Sequence, residues 1–178
     1  MNTNGNKPEQ DDEELPPIRI HETDNYITAI IGGKSPEAGP EDLKGFSGFA
    51  KLLPAVQNDP IVKEQLLDIL KETPDATAFL LKEIQNPANK TYLKELLAMC
   101  WEAALDMTPH LPYFTKLAAT SNDPFVLLEV ETIIQDMDLS DSIKRRAALE
   151  VLVGSLPGRE SLPGDIVRDI VAFLESRD

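Results

Sequence analysis

The amino-acid sequence predicts an all-α protein, and three observations support this prediction. After residue 40, apolar side chains recur at the spacing of helix faces, and no run shows sustained β-type alternation. Proline and helix-capping residues interrupt this pattern at short intervals. A segment also recurs within the chain, since FAKLLPAVQNDPIV at residues 49–62 returns as FTKLAATSNDPFV at residues 114–126.

The first 41 residues are predicted to lie outside the helical body. Residues 1–24 are mostly polar and acidic, so we expect a mobile, flexible tail that buries too little surface to order itself. Residues 25–41 form a linker of uncertain structure, because the pattern over residues 18–31 leaves strand and helix equally open. Its glycines and prolines indicate a loop towards the end. The helical repeat domain is predicted over residues 42–178.

Start and stop signals predict eight helices in this domain. Asp59 and Asp123 are each followed by proline, the pattern of an N-cap before a first helical position that needs no amide hydrogen bond. Asn86 and Thr108 precede prolines in a similar way. The predicted helices cover residues 42–57, 60–72, 75–86, 90–106, 109–121, 123–137, 140–154 and 163–177.

The recurring segment also sets a register for pairs of helices. When Asp59 is aligned with Asp123, the apolar positions of the two following helices coincide on one face. The helix between them joins this register when Leu96 is set on Leu66. A helix pair then recurs every ~30–35 residues, which is the period of α-solenoids. The sequence therefore predicts an α-α superhelix of about four helix pairs.

One family shows a similar motif. The segment DPIVKEQLLDIL resembles the second helix of a HEAT repeat, in which Asp-Pro, one residue and Val precede a basic residue. DPFVLLEVETII is similar but has Leu127 at the basic position, whereas DSIKRRAALEVL has Arg145 there. The resemblance covers roughly residues 42–154 and implies an armadillo-like binding scaffold, a solenoid fold that does not itself name the partner.

The resemblance further implies a ladder of Asp and basic side chains between neighbouring repeats. Asp59 and Lys63 are the candidates for one step of this ladder, which Leu127 would interrupt. The third match fits less well, because Asp141 follows Asp123 too closely for a whole helix pair. It is either a first helix with a second-helix sequence or a coincidence.

Composition excludes several classes of function. The net charge of −14 argues against nucleic acid and anionic membranes as partners, and it is compatible with a basic protein or peptide. A single cysteine excludes an internal disulfide framework and a Cys-rich metal site. Without a long apolar run or a secretory signal, we expect a cytoplasmic protein. We also expect it to be a monomer.

No motif indicates catalysis, a metal or a cofactor. The two histidines, His21 and His110, are far apart, and Cys100 falls on the apolar face of its helix, where a core residue is the simplest interpretation. The segment DMDLSD lacks the glycine and glutamate of a calcium loop, and GGKS lacks the first glycine of a phosphate-binding loop. We therefore predict that the protein is not an enzyme.

The register identifies a candidate surface along the second helices. Trp101 lies at the edge of its apolar stripe and Leu128 lies opposite one, which is typical of interface anchors, although either could instead pack against the next helix or the N-terminal segment. Nearby carboxylates favour a cationic or amphipathic partner. The predicted partner-binding residues are Glu64, Asp68, Lys94, Trp101, Leu128 and Gln135.

Two alternatives to a binding scaffold stay open at this point. An enzyme with an acidic pocket for a cationic substrate would show buried carboxylates close to one another. An architectural subunit of a larger complex would show a large apolar patch on its first or last helix, where repeat proteins otherwise need polar caps.

Overall fold

The computed structural model describes residues 49–177, and the regular structure of this part of the chain is helical, without strands. The all-α prediction is confirmed for these residues. The predicted tail, the linker and the start of the first predicted helix lie outside them. The α-helices are α1 (Phe49–Val56), α2 (Pro60–Glu72), α3 (Ala76–Gln85), α4 (Leu93–Glu102), α5 (Leu111–Thr120), α6 (Pro124–Gln135), α7 (Ser142–Ser155) and α8 (Leu162–Glu175).

Aspartate N-caps begin three of these helices. Asp59 Oδ1 accepts a hydrogen bond of 2.9 Å from the amide two residues on, and Asp123 and Asp141 accept from the amides two and three residues on. These bonds satisfy backbone N–H groups that have no partner within the helix. The predicted caps at Asp59 and Asp123 are confirmed, so the recurring segment begins a helix in the same way twice.

Helix α4 is shorter than the predicted helix over residues 90–106. A 3-10 helix, Pro87–Tyr92, precedes it, and a left-handed residue ends it. Ala104 has a φ of 52°, its amide bonds to the Trp101 carbonyl, and the Leu105 amide bonds to the Cys100 carbonyl. This is a Schellman cap, whose left-handed position is usually glycine. Apolar residues continue at helical spacing past this cap, so the sequence pattern does not indicate that the helix ends here.

Replacing Ala104 by glycine should therefore stabilise the protein. Relief of the left-handed strain outweighs the larger entropy of glycine in the unfolded chain, so we expect a gain of about 0.5–1 kcal/mol in the free energy of unfolding. Urea unfolding followed by circular dichroism measures it. The matched control is Ala172→Gly, an exposed position inside α8, which should lose about 1 kcal/mol. Equal losses at both positions would contradict the cap.

Consecutive helices pack in pairs, namely α1 with α2, α3 with α4, α5 with α6 and α7 with α8. The second members contact one another in chain order, with α4 on α6 and α6 on α8. The first members α5 and α7 also pack together. Helix α7 is thus the first helix of its pair, although its sequence resembles the second-helix motif.

Aliphatic side chains fill most of the core, as the scarcity of aromatic residues requires. Cys100 is among the fully buried residues, which confirms its interpretation as a core residue. The described helices do not reach the combination of length and apolar character that a membrane span needs. The largest completely buried side chains include Leu53, Leu80, Leu97, Phe114, Leu127, Ile134, Leu152 and Leu174.

The loop between α7 and α8 is anchored to the end of α5 by Arg159. Its guanidinium donates hydrogen bonds to the carbonyls of Ala118, at 3.1 Å, and Ala119, at 3.3 Å, and to that of Ser121. Carbonyls at a helix C-terminus lack partners within the helix and carry partial negative charge. Arg159 therefore ties the last helix pair to the preceding one.

Candidate binding surface

The outer sides of α4 and α6 hold the two residues that the sequence singled out as anchors. The Trp101 side chain is 38% exposed, and its indole Nε1 donates a hydrogen bond of 2.8 Å to Glu129 Oε2 of α6. Leu128, at the position before Glu129, is 47% exposed. Trp101 thus connects two helices through its polar atom while part of its ring faces solvent, a combination common at interfaces.

Phe125 adds an exposed aromatic ring that the sequence analysis missed. It lies in the first turn of α6, is 64% exposed, and stands below the Lys94 Nζ atom of α4, which is 5.8 Å from the ring centroid. This is a cation–π contact between the two helices. The equivalent residue of α2, Ile61, is also exposed in the structure.

We define the α4–α6 surface by Lys94, Trp101, Phe125, Leu128 and Glu129. Three of its members were predicted from the sequence, and contacts join its two helices at both Trp101 and Lys94. Its apolar members are Leu128 and two aromatic side chains, and aromatic side chains are enriched in protein interfaces.

The other three predicted residues lie outside this surface. Gln135 is exposed at the end of α6 and donates a hydrogen bond of 3.1 Å to Glu131 Oε1. Glu64 and Asp68 are exposed on α2, where Asp68 lies 3.8 Å from the Lys71 ammonium. The structure therefore places three of the six predicted residues on one surface, namely Lys94, Trp101 and Leu128. Glu64, Asp68 and Gln135 lie outside it.

Helices α4 and α6 carry several carboxylates. Glu129 accepts the Trp101 bond, and partial burial together with the charge of Asp169 on α8 raises the pKa of Glu131. Glu95 and Glu102 of α4 each have one buried carboxylate oxygen without a hydrogen-bond partner among the described residues. This arrangement favours positive groups over negative ones near the surface.

The Asp–basic ladder that the family resemblance implied has a different form here. Asp59 caps α2, while Lys63 Nζ lies 2.6 Å from Glu102 Oε1 of α4. At the equivalent position of α6, Leu127 is completely buried. At that of α7, Arg145 is buried and donates a hydrogen bond of 2.7 Å to the Leu139 carbonyl.

One cavity of the described residues has several carboxylates but does not resemble an acid–base site. It is shallow, with a volume of about 370 Å³, and lies beside the segments that follow α4 and α6, where it is lined partly by the exposed Asp106, Asp136 and Asp138. Hydrogen bonds from Ser140 lower the pKa of Asp138, so that this carboxyl stays ionised and is a poor proton donor.

Nucleophilic and metal chemistry also find little support in this part of the chain. Burial raises the pKa of the Cys100 thiol far above its ordinary value, and its Sγ donates to the Leu96 carbonyl. A protonated, inaccessible thiol is a poor nucleophile. Among residues 49–177, no group of three or more His, Cys, Asp or Glu side chains is placed to hold a metal ion.

Comparisons of the sequence and structure with family models, with curated proteins and with solved structures find no match.

Proposed function

We propose that this protein is a cytoplasmic, non-catalytic scaffold with a HEAT-like solenoid architecture that binds a protein or peptide through its second helices. The observation that carries the proposal is the α4–α6 surface, where Trp101, Phe125 and Leu128 are exposed on neighbouring helices. Isolated exposed apolar residues are normal, but aromatic rings and a leucine on adjoining helix faces are typical of recognition sites.

The order of helix contacts supports the solenoid part of the proposal. In a solenoid each helix pair contacts its neighbours, so that one row of helices lines a continuous surface. The contacts of α4 with α6 and of α6 with α8 are those expected within such a row, and the contact of α5 with α7 is that expected within a second row. Asp59 and Asp123 cap equivalent helices at the same register.

Charge supports a cationic amphipathic helix as the partner. The surface holds three exposed apolar side chains and Glu129, and Glu131 lies on the same helix as Glu129 within a strongly acidic chain. A guest helix with an apolar face and a Lys- or Arg-rich polar face would match both features. Because the stacked helices are already ordered, binding need not order the scaffold backbone.

The test uses a library of helical peptides that share one apolar face and differ in polar face. We expect the whole chain to select peptides with Lys and Arg over otherwise identical peptides with Glu. The double variant with Trp101→Ala and Leu128→Ala should bind the selected peptides at least about 30-fold more weakly, because one anchor side chain contributes about 2 kcal/mol to the free energy of binding. Isothermal titration calorimetry measures the affinities.

The matched control is Val153→Ala, which truncates a half-exposed apolar side chain on α7, away from the α4–α6 surface. This variant should bind the selected peptides as the unchanged protein does. Equal losses from both variants, or no preference between Lys-rich and Glu-rich peptides, would refute the proposed surface.

A further inference from the structure

Helix α7 is apolar on two opposite faces. Its inner face buries Ala148 and Leu152 against the rest of the described chain. On its outer face a second row of apolar residues is exposed, and Ile143 at the start of the row is 81% exposed. At about 100° per residue these positions form one stripe along three helical turns. We call this the α7 stripe, and it consists of Ile143, Ala147, Val151 and Gly154.

Gly154 gives this stripe an unusual feature. Among the described residues, no atom lies within 4 Å of a methyl group added to Gly154, and Gly158 is the glycine that has a positive φ. Neither packing against residues 49–177 nor backbone conformation therefore explains a glycine here, although glycine weakens a helix relative to alanine. Close approach of another backbone would explain it, because glycine lets two helices come together.

We propose that the α7 stripe binds the α7 stripe of a second copy of this chain, with the two helices antiparallel about a two-fold axis. If the axis crosses α7 at the level between Ala148 and Leu149, Ile143 faces Gly154 of the partner subunit. Ala147 then lies beside Val151 of the partner subunit. Each contact joins a large side chain to a small one, and the two-fold axis repeats both contacts.

The charges beside the stripe are also self-complementary. Arg146 and Glu150 lie along one edge of it, both are highly exposed, and the Arg146 Nε atom is 3.9 Å from Glu150 Oε1 within the same helix. They are placed almost symmetrically about the proposed axis. In the antiparallel pair, Arg146 therefore faces Glu150 of the partner subunit, and Glu150 faces Arg146 of the partner subunit. A second copy supplies this match automatically, whereas an unrelated partner would have to acquire it.

This dimer replaces the sequence-based expectation of a monomer. A contact between two helices is small compared with the interfaces of permanent dimers, so we expect reversible association. Sedimentation equilibrium over about 1 µM to 1 mM chain should show the average mass rising towards that of a dimer. A constant monomer mass over this range would overturn the proposal.

Gly154→Leu tests the steric part. A Cβ atom at Gly154 meets no described atom within 4 Å, and leucine has a higher helix propensity than glycine, so we expect this variant to fold at least as well as the unchanged protein. In the dimer the leucine would hold the two helices apart and weaken association by at least about tenfold. Unchanged association of a folded Gly154→Leu variant would place the dimer contact elsewhere and refute the proposal.

Mixing two charge-reversed variants tests the orientation. Arg146→Glu and Glu150→Arg should each associate poorly alone, because like charges face one another across the axis. In an equal mixture, every facing pair is again of opposite sign, so a heterodimer should form and show higher average mass than either variant alone. If the mixture behaves as the sum of its parts while the unchanged protein dimerises, the antiparallel geometry is wrong.

The dimer does not rest on the peptide-binding function. The variant with Trp101→Ala and Leu128→Ala leaves α7 unchanged and should dimerise normally. Gly154→Leu should in turn bind the selected peptides normally, so that either proposal can fail without the other.

Discussion

Replacing Leu127 by lysine should destabilise the protein by about 3–5 kcal/mol, the cost of an uncompensated charge in a protein interior. Leu127 is completely buried in α6, yet its sequence position is the one at which the HEAT-like motif has a basic residue. The lysine of α2 at that position, Lys63, is partly buried, and Glu102 of α4 compensates its charge. The new lysine would place its ammonium group in the core, at the position of the completely buried Leu127 side chain.

Two further variants keep this prediction testable if Leu127→Lys does not fold. Leu127→Ala should cost about 2–5 kcal/mol through the cavity that it leaves, and Leu127→Met should cost less than about 1.5 kcal/mol because it conserves volume. Urea unfolding at a concentration that keeps the protein monomeric measures all three. Near-normal stability of Leu127→Lys would mean that a carboxylate or water reaches this position. It would contradict the complete burial of Leu127 in the core.

Leu127 also shows what the sequence could and could not predict. The helices were predicted well because the apolar period records which side of each helix is buried, and the Asp-Pro pairs mark where helices begin. In the structure Leu127 shares its buried face with Val126 and Val130. Whether the basic position of a repeat faces a carboxylate or a core depends on the neighbouring helix, which local spacing does not determine.

The candidate surface was predictable to a similar extent. Trp101 and Leu128 departed from their apolar stripes, and departures of this kind are visible in a helical register. Phe125 was missed because it lies in a proline-led first turn, where one residue defines no periodic stripe. Its significance comes from Lys94, which approaches from another helix. Helical periodicity carries no information about the partner. Its chemical class can be inferred only from the charge and shape of the surface.

Gly164 should respond to alanine with a large loss of stability. A Cβ atom at Gly164 would lie 2.9 Å from the Arg159 carbonyl carbon and closer still to its oxygen. This carbonyl also accepts a hydrogen bond of 2.9 Å from Arg168, and the Arg159 side chain is bonded to the end of α5. The loop cannot move away without breaking these contacts. We expect Gly164→Ala to cost about 3 kcal/mol, the upper part of the usual range for overpacking.

The same substitution at Gly154 provides the control, because a methyl group there meets no atom of residues 49–177 within 4 Å. Gly154→Ala should stabilise the monomer by about 0.5–1 kcal/mol through helix propensity. Urea unfolding at low protein concentration should therefore move the two midpoints in opposite directions, with no change in slope. If Gly164→Ala were also stabilising, the Arg159 carbonyl would not lie against α8. The link from α5 through Arg159 to the last helix pair would then be absent.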